Sequence, residues 1–282
     1  MKKMFTIVLA ALMVAALFAG CGSSTAETKA PETTAAPAAT AAAETATPAE
    51  TEAAAPAFTT IEAGKLIMST NAAFPPYEMV ADDGSFEGID VEIAGAIAKK
   101  LGLELVVDDM DFDAALLAVQ QGKSDIVMAG VTVNEDRKLV MNFSDTYSKG
   151  VQVVIVKEGS DVTLDNLGDQ MIGTQRGTTG YIYTSGDYGE DHVTAYDNGA
   201  SAVQALMNGQ VDCVVIDSAP AQAFVENNPG LTILDTEYTS EDYAIGMSKD
   251  NTALLEAVNG ALKELTEDGT IPAIVEKYIP TK

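Results

Sequence analysis

Two stretches of this chain echo each other, and the echo limits what it can fold into. QGKSDIVMAG at 121–130 lines up with NGQVDCVVID at 208–217. In each, a helical pattern stops at a glycine (Gly122 or Gly209), an aspartate follows three residues later, and an apolar run continues to Gly130 or to Asp217. Upstream, in the same order, LIMSTNAAF (66–74) resembles MIGTQRGTT (171–179), with Thr70-Asn71 opposite Thr174-Gln175. Two offsets in one order predict two related halves.

Within the first half, apolar runs alternate with helical spacing. Residues 66–68 read as a strand. Asp90 is expected to cap a helix through Val91, Ala94, Ile97, Ala98 and Leu101, which Gly102 stops. Residues 103–107 form a second strand, 113–121 a second helix and 126–129 a third strand. This β-α-β-α-β order implies a parallel sheet flanked by helices. The predicted fold is α/β and two-lobed. Residues 151–156 and 243–247 are expected to carry the chain between lobes as two crossing strands. Helices at 253–265 and 272–278 then return to the first lobe. The expected division is 60–150 with 243–282 for lobe 1, and 151–242 for lobe 2.

Residues 1–21, MKKMFTIVLAALMVAALFAGC, have the form of a secretory signal. Lys2 and Lys3 make its positive end, and the apolar core at 6–18 is too short for a comfortable membrane span. Small residues directly before Cys21 resemble a bacterial lipobox, so Cys21 is expected to be lipidated and to become the mature N-terminus. Residues 22–59 follow as an Ala/Thr/Pro/Glu tether, whose composition cannot bury enough apolar surface to offset the entropy of ordering it. About 35 residues of such coil reach on the order of 30 Å, which suits a domain held off a membrane.

Removing Lys2 and Lys3 leaves 14 of the 16 basic residues against 42 acidic ones, a net charge of −28. So acidic a surface argues against binding nucleic acid or anionic lipid by charge. With Cys21 lipidated, Cys213 is the remaining thiol, in an apolar strand pattern. No disulfide within the chain, metal cluster or cofactor is expected. His192, the single histidine, reads as a surface loop residue.

Polar residues gather at the predicted strand ends: Asn71, Gly130 to Thr132, 175–179 and Asp217. Open parallel sheets bind ligands beyond these ends. Two facing rims would therefore line one cleft. There Arg137 offers a fork matched to a carboxylate, on a helix that Asn134 caps. Thr132 adds a hydroxyl, and the helix start after Gly177-Thr178-Thr179 favours an anion. Asp217 supplies a negative charge and Gly130 a carbonyl. An anion site beside a cation site describes an amino acid zwitterion, with Phe74 and Phe112 on either side of its side chain. Taken singly, Arg137 is equally an ordinary charged helix residue, Asp217 a loop cap before Pro220 and Phe74 plain packing. What sets them apart is that all fall at strand ends.

NAAFPPYE (71–78), GIDVEIAGAIAKKLG (88–102), DIVMAGVTVNEDRKLVMNFSDTYSKG (125–150), RGTTG (176–180) and EDGTIPAIVEKY (267–278) carry a resemblance. Over residues 61–282 the chain resembles bacterial extracellular solute-binding proteins, family 3, of the polar amino acid ABC transporters. It is similar to the glutamine-binding and the histidine- or lysine/arginine/ornithine-binding members. The resemblance implies a type II periplasmic-binding-protein fold. In such a fold each lobe is a mixed, mostly parallel sheet flanked by helices, and the lobes close on one amino acid. It further implies that Arg137 holds the carboxylate with Thr132 and the Thr179 backbone. Asp217 then holds the ammonium with Gly130 and Thr132, Phe74 stacks on the ligand, and Phe112 lies near its side chain. Asn71 stands where relatives often carry aspartate, and Gln175 where some carry lysine or leucine. A neutral polar ligand is therefore expected, with Tyr77, Glu78 and Asp109 as further contributors. The implied partners are a free L-amino acid and a membrane permease. The implied state is a monomer anchored through palmitate-bearing Cys21 outside the cell membrane. Two alternatives use the same scaffold: a periplasmic dehydratase-like enzyme, with Glu78, Asp109 or Asp217 as its acid or base, and a ligand-sensing module for a separate receptor.

Overall fold

The first strand, β1 (Lys65–Thr70), is buried from Leu66 to Thr70, the pattern of a strand covered on both faces of a parallel sheet. The computed structural model describes residues 58–235 and 237–280. The signal read at 1–21, with Cys21, lies outside the described residues, as does the tether up to residue 57. Of Phe58 and Thr59, also read as tether, Phe58 lies against the core, and the exposed Thr59 offers its carbonyl to Asn251 Nδ2 at 3.1 Å.

A small antiparallel sheet follows β1, formed by β2 (Ala73–Phe74), β3 (Glu78–Val80) and β4 (Phe86–Glu87). Helix α1 (Ile89–Lys100) buries Ile89, Ile93 and Ile97 at helical spacing. Its cap differs from the sequence expectation. Gly88 occupies the N-cap, and Asp90 is the second residue of the helix, fully buried. The Asp90 carboxylate faces inward, where Oδ2 accepts the Gly130 N–H at 2.9 Å and the Tyr147 hydroxyl at 2.8 Å. A capping-type residue at a helix start was diverted to a tertiary contact that local spacing does not encode.

Next come β5 (Glu104–Asp109), α2 (Phe112–Gln120), β6 (Ile126–Val127) and α3 (Glu135–Val140). The long strand β7 (Met141–Lys157) leads to β8 (Ile172–Gln175), α4 (Thr179–Tyr188), β9 (Val193–Tyr196) and α5 (Gly199–Met207). Then follow β10 (Cys213–Asp217), α6 (Ser218–Asn227), β11 (Leu231–Ile233), β12 (Thr239–Ser248), α7 (Thr252–Glu267) and α8 (Thr270–Tyr278). The last two helices pack on α1, where Lys100 and Glu264 pair at 2.9 Å. No described helix is long and apolar enough to cross a membrane.

The strand order explains the repeat. It runs β5-β1-β6-β12-β7-β10-β8-β9. At one end β1 is parallel to both β5 and β6. At the other, β8 is parallel to both β9 and β10. Each half thus places its first strand between its second and third, so the chain reverses direction beside β1 and again beside β8. Those reversal points are where open sheets take ligands. Between the halves, β7 and β12 pair antiparallel from Met141↔Ser248 to Gln152↔Thr239.

The crossing depends on one close approach. A Cβ added to Gly150 on β7 would sit 2.5 Å from the ring of Tyr243 on β12, and Tyr243 is fully buried. Gly150→Ala is expected to destabilise the protein by about 1–3 kcal/mol, the usual cost of overpacking. Urea unfolding monitored by circular dichroism measures this, and unchanged stability would mean that Tyr243 moves aside freely.

Candidate functional site

The site lies where the two sets of strand ends meet. Asn71, Phe74, Phe112, Gly130, Thr132, Arg137, Gln175, Thr179 and Asp217 all line one cavity, joined by Glu78, Ala129 and Thr178.

Arg137 is placed by its helix. Asn134 Oδ1 accepts the Arg137 N–H at 2.8 Å, capping α3. The side chain is buried, at 7% exposure. Nη1 donates to the Thr132 carbonyl at 2.8 Å and Nη2 to the Gly177 carbonyl at 3.1 Å, and the guanidinium stacks 5.4 Å from the Phe112 ring centre. Burial pulls its pKa down, while the negative field of Glu241 and Asp217 opposes this. A guanidinium stays charged in such a setting.

Asp217 ends β10 at the N-cap position of α6, but its side chain makes no capping bond. Instead Oδ2 accepts from Gln152 Nε2 at 2.8 Å and Oδ1 from the Tyr243 hydroxyl. All these donors are neutral. Burial accordingly pushes the Asp217 carboxyl up to about 7. Among the described residues, neither Arg137 nor Asp217 forms a salt bridge.

The two residues matched by the sequence repeat touch directly: Gln175 Nε2 donates to Asn71 Oδ1 at 3.0 Å, and Asn71 Nδ2 to the Met110 carbonyl at 2.9 Å. Phe74 presses on Gly130, whose φ is +56° and where a Cβ would lie 2.8 Å from the Phe74 ring; both constraints call for glycine. Thr178 caps α4, accepting from Tyr181 N at 3.4 Å. Tyr77 and Asp109 do not line the cavity. The Tyr77 hydroxyl contacts Ser148 at 3.3 Å, and Asp109 Oδ1 accepts the Ala72 N–H at 2.7 Å. His192 is half-buried in the turn Glu190–His192. Cys213 is fully buried, which pushes its thiol up to about 12.

Sequence reasoning missed the polar bracket behind the cavity. Glu241, 6% exposed, accepts through Oε2 from Thr132, Thr179 and Gln152, each at 3.0 Å. It thereby holds the two threonine hydroxyls of the site in place. The available signal was a glutamine inside the apolar run at 151–156, since a buried polar side chain needs a reason to be there.

The family model for bacterial extracellular solute-binding proteins, family 3, matches residues 66–281. The chain belongs to this family. Its members are binding proteins, and the chain is a binding protein rather than an enzyme. A relative from Neisseria gonorrhoeae described as a probable histidine-binding protein is 34% identical over 235 residues, which covers 80% of this chain and 87% of the relative. Two solved structures of an ancestral arginine-binding protein are similar to this family 3 chain. The form bound to arginine has a TM-score of 0.73 at 40% identity, covering 77% of this chain and 98% of the other. The form bound to glutamine has a TM-score of 0.74 at 39% identity, covering 77% and 99%. The fold of this family 3 protein is the two-lobed type II periplasmic-binding-protein fold.

Buried carboxyls make the family 3 domain sensitive to pH. Burial raises Asp90 to about 6 and Asp217 to about 7. Between the ordinary carboxyl value near 4 and these raised values, the folded state binds more protons than the unfolded chain. Stability therefore falls as pH rises through that window, by on the order of 2–4 kcal/mol. Carboxyls shifted the other way, such as Asp83 and Asp268, act below the window. The melting temperature is expected to be higher at pH 5 than at pH 8, and Asp217→Asn to reduce that fall. Calorimetry across the range checks both, and a stability that rises with pH would contradict the assignment.

Proposed function

We propose that the protein captures one free L-amino acid between its lobes and delivers it to an ABC permease, tethered outside the cell membrane through lipidated Cys21. The lobes are taken as 60–150 with 243–282, and 151–242. The observation that carries this reading is a single cavity holding one buried cation, Arg137, and one buried anion, Asp217, neither neutralised by a salt bridge. Arg137 receives the α-carboxylate with Thr132 and the first turn of α4, and Asp217 receives the α-ammonium beside Gly130. The names of the relatives, all amino-acid-binding proteins, support the same ligand class.

The side chain of the ligand points toward Asn71, Gln175, Phe74 and Phe112. The Asn71–Gln175 amide pair, with its two acceptors and donors, favours a neutral polar end such as the amide of glutamine. A second reading, a cationic end, is favoured by Glu78, a carboxyl on the cavity wall. Glutamine and arginine each occupy a structure of the ancestral relative.

A thermal-shift screen against the twenty amino acids and cystine tests the ligand class, because a ligand at 100 times its Kd adds about 2.7 kcal/mol of stability. At least one free amino acid is expected to raise the melting temperature. Arg137→Ala is expected to weaken that ligand by roughly 100-fold or more, since removing one partner of a buried charge pair costs about 2–5 kcal/mol. Wild-type affinity in this variant, measured by titration calorimetry, would refute the carboxylate clamp.

A further inference from the structure

Glu78 begins β3 on the cavity wall, is 0% exposed, and has no hydrogen-bond donor at either carboxyl oxygen. Beside it is Asp90 of α1, also 0% exposed, whose N–H donates to the carbonyl of Tyr77, the residue before Glu78, at 2.9 Å. Asp90 Oδ2 is saturated by the Gly130 N–H and the Tyr147 hydroxyl, and Oδ1 has no donor. Two ionised carboxylates cannot hydrogen-bond to each other, and a dry site penalises both charges. One proton between them gives the pair its missing donor.

The surroundings leave this proton in place. The other charged groups acting on Glu78 are Asp109, at the end of β5, and Asp217, at the end of β10, both acidic. Tyr77 before β3, Tyr147 and Ser148 on β7 and Tyr243 on β12 contribute neutral hydroxyls. Arg137 across the cavity is engaged with the Thr132 and Gly177 carbonyls, and Lys277, reaching α1 from α8, is engaged with Glu92.

We propose that Glu78 and Asp90 share one proton and use it to read the end of the ligand's side chain: an amide end binds with the proton retained, and a cationic end displaces it to solvent. This rests on the amino-acid reading above. With the proton retained the pair carries one negative charge, and Glu78 offers an acceptor to an amide. With the proton gone, its carboxylate faces the incoming cation directly, so net charge at the wall is conserved. Asp90 acts through Glu78 as a positioning residue. Burial and the neighbouring carboxyls hold Glu78 well above the usual carboxylate range and Asp90 near 6, as proton sharing at neutral pH requires.

The test is titration calorimetry of the full protein at pH 7 with L-arginine and with L-glutamine, each in phosphate and in Tris. The two buffers differ in ionisation enthalpy, so the change in heat counts protons released. Any proton that the α-ammonium displaces from Asp217 is common to both ligands and cancels in the difference. Arginine is expected to release about one proton more than glutamine. In Asp90→Asn the new amide donates to Glu78 and leaves it ionised, so both ligands bind and the excess vanishes. If that variant does not fold, Glu78→Gln replaces it. There the excess is again lost, and arginine weakens by roughly tenfold or more beyond any loss for glutamine. Equal proton release in the wild type, an excess that survives in the variant, or binding of fewer than both ligands overturns the proposal. A protein that no amino acid stabilises in the thermal-shift screen instead sinks the amino-acid reading itself.

Discussion

The guanidinium of Arg137 is buried against two carbonyl oxygens and an aromatic face instead of a carboxylate. Carbonyl dipoles satisfy its N–H donors without cancelling its charge. Asp217 is treated in the same way, its oxygens satisfied by a phenol and an amide. Burying unpaired charges is costly, and the protein places one of each sign on a single cavity. A dipolar molecule of matching length relieves both costs at once, whereas a singly charged one relieves only one. In the proposed function, discrimination for a zwitterion follows from how the charges are left, before any side-chain contact is considered.

That arrangement needs stiff supports. Thr132 and Thr179 come from different halves, and both hydroxyls donate to one Glu241 oxygen. Gln152 donates to that same oxygen and to Asp217. One carboxylate on β12 and one amide on β7 therefore orient groups from both rims, and both strands belong to the crossing between the halves. The Tyr243–Gly150 contact packs the same crossing. A shift in the register of β7 against β12 would misplace Asp217, Thr132 and Thr179 together.

The repeat was legible in the sequence because both halves use the same local device: a helix stopped at glycine and an apolar strand that ends in a polar group. The corresponding strand orders, β5-β1-β6 and β9-β8-β10, are its physical counterpart. The nine residues read at strand ends share one cavity, since strand ends of such halves converge wherever the sheets face each other. The Asn134 cap was legible too, because it spans three residues. Less legible were groups whose partners lie far along the chain. Asp90 has the local form of a helix cap, yet its partners Gly130 and Tyr147 lie 40 and 57 residues away. Glu241 stands 109 residues from Thr132, and neither spacing nor composition links them. The strand expected at 126–129 is two residues long, because the chain bends at Ala129 and Gly130 while remaining buried.

Among the described residues, the bonds that tie the halves together at the cavity include Asn71 with Gln175, Arg137 with the Gly177 carbonyl, and the longer Thr132–Thr179 contact at 3.5 Å. Each involves at least one neutral partner, and net hydrogen bonds of this kind contribute only about 0.5–1.5 kcal/mol, or up to about 3 where one partner is charged. Such ties position the rims without locking them. A ligand changes the balance only through what it gains in this arrangement over any other. In the proposed mode its two charges meet Arg137 in one half and Asp217 in the other, so the gain is realised only when both rims are in contact with it. The same logic sets the place of the Glu78–Asp90 pair. It sits in the first half alone, so in the proposed role it weighs the side chain without contributing to the tie between halves. Under the proposed reading, recognition of the backbone groups and recognition of the side chain are separable, the first coupled to the juxtaposition of the halves and the second to a proton.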